Sequence, residues 1–133
     1  MSGAAAAVAM VAVAGWAFLR YRPSRVAIEG PSMAPTLLPG DQVLVVTRRS
    51  YRTGDVVVVE HPGRPGYEMV KRLRGLPGDR IGERVLAPDE YWIEGDFDQA
   101  STDSRQFGPV TGAELKAKVV VIYLPTDRRA VVR

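Results

Sequence analysis

Tyr67-Glu68-Met69-Val70-Lys71-Arg72-Leu73-Arg74 reads as a β-strand, and the face on which each residue falls decides the rest of the chain. Alternate side chains of a strand share a face. Tyr67, Met69, Lys71 and Leu73 fall on one side; Glu68, Val70, Arg72 and Arg74 fall on the other and are expected to point outward. Lys71 is then the only charge on the apolar face. Desolvation disfavours an ammonium, so a lysine held there can be neutral and accept a proton. The plain alternative is a lysine at a sheet edge, its stem buried and its head in water. The strand alone favours that alternative, because lysine is rarely buried without a partner.

Short strands with turn signals lie on both sides. Val26-Ala27-Ile28 leads into Gly30-Pro31-Ser32-Met33-Ala34-Pro35-Thr36-Leu37, a serine on a turn flanked by glycine and proline. Residues 42–47 and 55–60 are β-branched runs that read as buried strands, joined by the polar stretch 48–54. Residues 61–66 hold two prolines and two glycines and read as a loop. Gly78-Asp79 ends the Lys71 strand, Tyr91-Trp92-Ile93 is a further strand, residues 111–115 a helical turn and residues 116–124 the closing strand. The expected fold is mainly β, a compact antiparallel domain of short strands.

A serine nucleophile needs a base. His61 is the chain's single histidine, and it precedes Pro62 at a strand end, where a loop role is expected. Lys71 is the other candidate. With no cysteine and one histidine, a zinc site of ordinary ligands is not expected, and no cofactor is called for.

Four stretches carry a family resemblance. Ser32-Met33-Ala34-Pro35-Thr36-Leu37 resembles the nucleophile box of type I signal peptidases, and Gly40-Asp41-Gln42-Val43-Leu44-Val45 the strand after it. Lys71-Arg72-Leu73-Arg74-Gly75-Leu76-Pro77-Gly78-Asp79 resembles the general-base box. Gly95-Asp96-Phe97-Asp98-Gln99-Ala100-Ser101-Thr102-Asp103-Ser104-Arg105-Gln106-Phe107-Gly108 resembles the last box. All four occur in the family's order. The resemblance implies a signal-peptidase-type β-domain and a membrane-anchored serine endopeptidase with a Ser/Lys dyad. Ser32 would be the nucleophile, Lys71 the general base, and Ser101 the residue that orients the Lys71 amine. Asp103 and Arg105 would pair to hold the last box, and Met33 would line the substrate cleft. The sequence departs at Phe97, where the family usually has Asn, and at Gly30, where some members place a serine that helps form the oxyanion hole. Only residues 80–94 separate the third and fourth boxes, so the chain reads as a minimal, single-domain form.

The chain has 133 residues, 46% hydrophobic and 25% charged, with a net charge of +3. These values suit one globular domain plus an anchor. A basic balance fits either surface arginines or attraction to anionic lipid. No nucleic-acid motif is present, so a nucleic-acid partner is discounted. Residues 3–19 form an uncharged Ala/Val-rich run of 17 residues, at the short end for a spanning helix. It is read as a transmembrane anchor over residues 1–22, followed by the endopeptidase domain over 23–133. A cleaved signal peptide is disfavoured, since Met1-Ser2 supplies no basic start. A helix docked on another protein is the third reading. Arg20, Arg22 and Arg25 come after the run, which by the positive-inside rule keeps the C-terminal side in the cytoplasm. The family expectation is the outer face of the plasma membrane, and the orientation is left open.

The expected partners are membrane lipid and precursor proteins bearing a signal or leader peptide, cut after small residues. A maturation protease for nickel superoxide dismutase, or a mitochondrial inner-membrane peptidase, would share the boxes. From other classes, a self-cleaving LexA-like regulator and an inactive membrane-anchored β-module compete. The first lacks a DNA-binding helix pair at residues 1–25, and the second does not explain why the dyad residues occur together.

Overall fold

The computed structural model describes residues 3–133. Helix α1 (Gly3–Tyr21) leads into strands β1 (Ser24–Ala27), β2 (Gln42–Val46), β3 (Val56–Glu60) and β4 (Glu68–Gly75). The two-residue strands β5 (Arg80–Ile81) and β6 (Arg84–Val85) form a separate hairpin. Then come β7 (Trp92–Glu94), the short helix α2 (Ser104–Phe107), β8 (Leu115–Leu124) and β9 (Ala130–Val131). The main sheet runs β1-β2-β8-β3-β4-β7, with β9 also on β8, and every pairing is antiparallel. The mainly antiparallel β reading therefore holds, with strand ends within two residues of those expected. The β5–β6 hairpin, α2 and β9 have no counterpart in the sequence pattern.

Val56-Val57-Val58-Val59 explains where the core sits. Val56 and Val58 belong to one buried cluster, with Met33, Leu37, Val43 and Val119. Val57 and Val59 belong to a second, with Leu73, Ile93, Val110 and Leu115. Both faces of β3 are thus covered, which is why its sequence is continuously apolar rather than alternating.

The same covering corrects the reading of β4. Arg72 does not point outward: it is 8% exposed and paired with Asp96. Period-2 alternation assigns faces but does not show that one of them is wet. Here the Arg72 face is capped by the Ser32 turn and by the segment around Asp96. Tyr67, in turn, lies outside the strand, 46% exposed, with Arg64 stacked 4.1 Å above its ring.

The expected transmembrane segment finds no support among the described residues. A helix does form over Gly3–Tyr21, about 28 Å long at 1.5 Å per residue. Among the described residues, however, no helix is long and apolar enough to cross a membrane.

Candidate active site

Ser32 comes after Gly30, whose φ of +74° only glycine adopts without strain. The turn is closed by Ala34 N donating to Pro31 O (3.0 Å) and Leu37 N donating to Met33 O (2.9 Å). Met33 and Leu37 are fully buried in the first cluster. Burying each is worth roughly 1.5–3 kcal/mol, so the turn is pinned just after the serine by its own apolar residues. At the far end, Ile28 N donates to Asp41 O and Gly40 N to Ile28 O. Asp41, read from sequence as a turn residue, is buried. It accepts from Leu38 N (2.9 Å) and from two Arg128 nitrogens (2.8 Å each).

Lys71 stands opposite Val57 in the β3–β4 pairing and is 5% exposed. Its Nζ donates to Ser101 Oγ (3.1 Å). Ser101 Oγ donates to Asp103 Oδ2 (2.6 Å), leaving its lone pairs toward the amine. Burial pushes the Lys71 pKa down; the nearby Asp103 charge acts to raise it, and Arg105 to lower it further. A hydrogen bond from Lys71 to Ser32 is not among those the described residues make, but both side chains line one cleft.

Asp103 is fully buried. It accepts from Gly95 N (2.8 Å), Arg105 N (3.1 Å), Arg105 Nε (3.0 Å) and Arg105 Nη2 (2.6 Å). Burial alone would raise its pKa, but the bonds from Arg105 and Ser101 and the backbone N–H groups outweigh it and hold the carboxyl far below its ordinary range. Asp103 also caps α2, with Gln106 Oε1 accepting its own N–H (2.8 Å). One carboxylate therefore fixes a helix start, an arginine and the serine on which Lys71 rests.

A second network, missed in the sequence, ties three segments together on the other face of β4. Arg72 grips Asp96 with Nε on Oδ1 (2.8 Å) and Nη2 on Oδ2 (2.7 Å), while its Nη1 donates to Gly54 O (2.8 Å). Thr36 Oγ1 donates to Asp96 Oδ2 (2.7 Å). The nucleophile turn, the Lys71 strand and the last box thus share one bidentate ion pair. Arg72 and Asp96 both lie in the family boxes; what hid them was the assumption that β4 had a solvent face.

Gly95 is the point of closest approach. A side chain there would collide with Ser101 and with the Ser32 carbonyl. Next to it, Phe97 N donates to Ser32 O (2.9 Å).

The cleft has a volume of about 420 Å³. Its lining runs over Val26 to Met33 and Tyr67 to Lys71 and includes His61, Arg64, Ala100 and Thr102. Among the described residues β1 pairs only with β2, and β7 meets β4 only from Arg72 onward. Both stretches therefore offer unpaired backbone to an extended chain. His61 accepts from Gly63 N (2.9 Å) and packs its ring 4.8 Å from that of Phe107, so it belongs to the hairpin loop.

Residues 2–84 match the family described as signal peptidase, peptidase S26. The chain is 40% identical over 126 residues to the mitochondrial ATP-independent inner membrane protease subunit 1a of Arabidopsis thaliana, covering 81% of this chain and 74% of that one. It is 35% identical over 116 residues to the mitochondrial inner membrane protease subunit 2 of Schizosaccharomyces pombe, with 76% and 64% covered. With that organism's subunit 1 the figures are 36% over 110 residues, with 72% and 70% covered.

Proposed function

The chain belongs to the signal peptidase family, peptidase S26, and we propose on that footing that it is a serine endopeptidase working by a Ser32/Lys71 dyad. The observation that carries this is the buried Lys71 amine, held on Ser101 in the cleft that Ser32 also lines. A structural lysine would reach for water or a carboxylate. This one gives its hydrogen bond to a neutral hydroxyl in a desolvated place, which keeps the neutral amine accessible.

An extended precursor segment lies between the two free edges, and Ser32 Oγ attacks a carbonyl held in the cleft. Lys71 takes the hydroxyl proton as the C–O bond forms. The negative oxygen is received by the Ser32 N–H, which has no other partner among the described residues. Gly30 has no hydroxyl to add a second donor. Collapse breaks the C–N bond, and Lys71 returns the proton to the leaving amine. Water, deprotonated by Lys71, then hydrolyses the ester and frees Ser32. Met33, buried beside the nucleophile, closes the floor of the cleft, which suits small residues before the cut. Asp103 and Arg105 hold the last box, and Ser101 keeps the amine aimed.

The substrates are precursor proteins carrying a signal or leader segment, and the β-domain from residue 23 onward carries the chemistry. The relatives named as inner-membrane proteases support work at a membrane. The exposed Val8, Val11, Trp16 and Leu19 of α1 are the apolar surface available to meet lipid.

The test is cleavage of a precursor peptide by purified protein. Ser32→Ala abolishes it, and Lys71→Ala lowers kcat by roughly 10²–10⁴-fold, the usual worth of a general base, while circular dichroism stays native. Near-wild-type turnover in either variant removes the dyad.

A further inference from the structure

We infer that Phe97 is a specificity residue for the leaving side of the substrate, favouring an apolar side chain immediately after the scissile bond. The inference rests on Ser32 being the nucleophile. Ser32 lines the cleft together with residues 26–31 and 67–71. A peptide whose carbonyl sits at Ser32 would fill that cleft with the residues before the cut, and the residues after the cut would leave past surroundings of Ser32 that do not line it. The segment 95–97 belongs to those surroundings. Gly95 abuts the Ser32 carbonyl, and Phe97 N donates to that same oxygen (2.9 Å). Phe97 is not part of the cleft wall, although Ala100 and Thr102, three and five residues later, are.

Its backbone is therefore tethered next to the nucleophile, and its side chain is outside the lining of the cleft. Phe97 is also held firmly. Its N–H is bonded to Ser32 O, its carbonyl accepts from Ala100 N (3.1 Å), and the preceding Asp96 is locked by Arg72 and Thr36. Yet Phe97 is 38% exposed. An aromatic side chain, partly open to solvent and carried on fixed backbone that bonds the reacting serine, is a ready apolar contact that costs little conformational entropy to use.

The test is a peptide series with Ala-Xaa-Ala before the bond and Leu, Ser or Glu directly after it, the cut confirmed by mass spectrometry. Wild-type protein is compared with Phe97→Asn and Phe97→Leu, each checked for native thermal unfolding. A second series varies only the residue before the bond. The expected result is a kcat/KM ratio for Leu over Ser that falls at least fivefold in Phe97→Asn and stays within twofold in Phe97→Leu, with the second series unmoved. An unchanged ratio in Phe97→Asn, with Ser32-dependent cleavage intact, overturns the inference and leaves the peptidase reading standing. Equal shifts in both series also overturn it, since Phe97 would then act on the whole site. Absence of Ser32-dependent cleavage in the wild-type protein sinks the reading beneath it and the inference with it.

Discussion

Gly95→Ala puts one methyl group where the proposed catalytic parts meet. A Cβ on Gly95 would overlap Ser101 Oγ and stand 2.6 Å from Ser101 Cβ and 2.6 Å from Ser32 O, where ordinary contact begins at 3.4 Å, so these neighbours must retreat by at least about 0.8 Å. Neither is free to do so. Ser101 is held at 2.6 Å by Asp103, which is itself fixed by Arg105 and two backbone N–H groups, and Ser32 O is held by Phe97 N. If Ser101 yields, its 3.1 Å bond to Lys71 opens to roughly 3.9 Å, beyond hydrogen-bond range. A misplacement near 1 Å costs about 10²-fold in rate, and overpacking of this kind costs about 1–3 kcal/mol of stability. The expected outcome is therefore a kcat about 10²-fold lower, a KM changed much less, and a lower Tm. Gly75→Ala is the control. Its nearest clashes, at 2.9 Å, are with Ile81 Cδ1 and Leu86 Cδ1, the ends of side chains that can turn away. It should lower Tm while leaving kcat per folded molecule within about twofold. Steady-state kinetics on a precursor peptide and thermal unfolding decide between them. A Gly95→Ala protein with wild-type Tm and kcat within threefold of wild type would refute the reasoning.

Activity should climb with rising pH through the lowered Lys71 pKa and then level, because burial favours the neutral amine that acts as base; a limb near 6.5 that His61→Ala abolishes and Lys71→Ala does not would assign the base to His61 instead. Asp103, Asp96 and Asp41 all titrate below their ordinary range in the fold. Their pairing is fully stabilising above the unfolded carboxyl pKa of about 3.9 and is lost as pH falls through the folded values. Urea midpoints should thus drop steeply below about pH 4, and Asp103→Asn should flatten part of that drop. Arg72→Ala strands the Asp96 carboxylate in a nearly closed site and should cost about 3–5 kcal/mol in chemical denaturation; Arg72→Lys, keeping charge but not the fork, should recover only part of it. Arg128→Ala removes two of the three donors to the buried Asp41 and should destabilise by about 1–3 kcal/mol, read as a lower urea midpoint with an unchanged slope.

Local rules made much of this protein legible in its sequence. Clusters of proline and glycine cut the chain into short strands, and β-branched runs such as Val56-Val57-Val58-Val59 marked those buried on both faces. Chemistry made Ser32 and Lys71 candidates, though the strand by itself favoured an edge lysine, and the family resemblance supplied their proposed roles and added Ser101, Asp103 and Arg105. Tertiary structure decided what depends on a second surface. Alternation could divide β4 into two faces but could not reveal that the Ser32 turn and Asp96 cover the second one, turning Arg72 from an expected surface charge into the tie between three segments. Gly95 and Phe97 are the clearest case: one touches Ser32 and the other bonds to it across more than sixty residues of chain, and such contacts exist only once the sheet has brought the last box against the first.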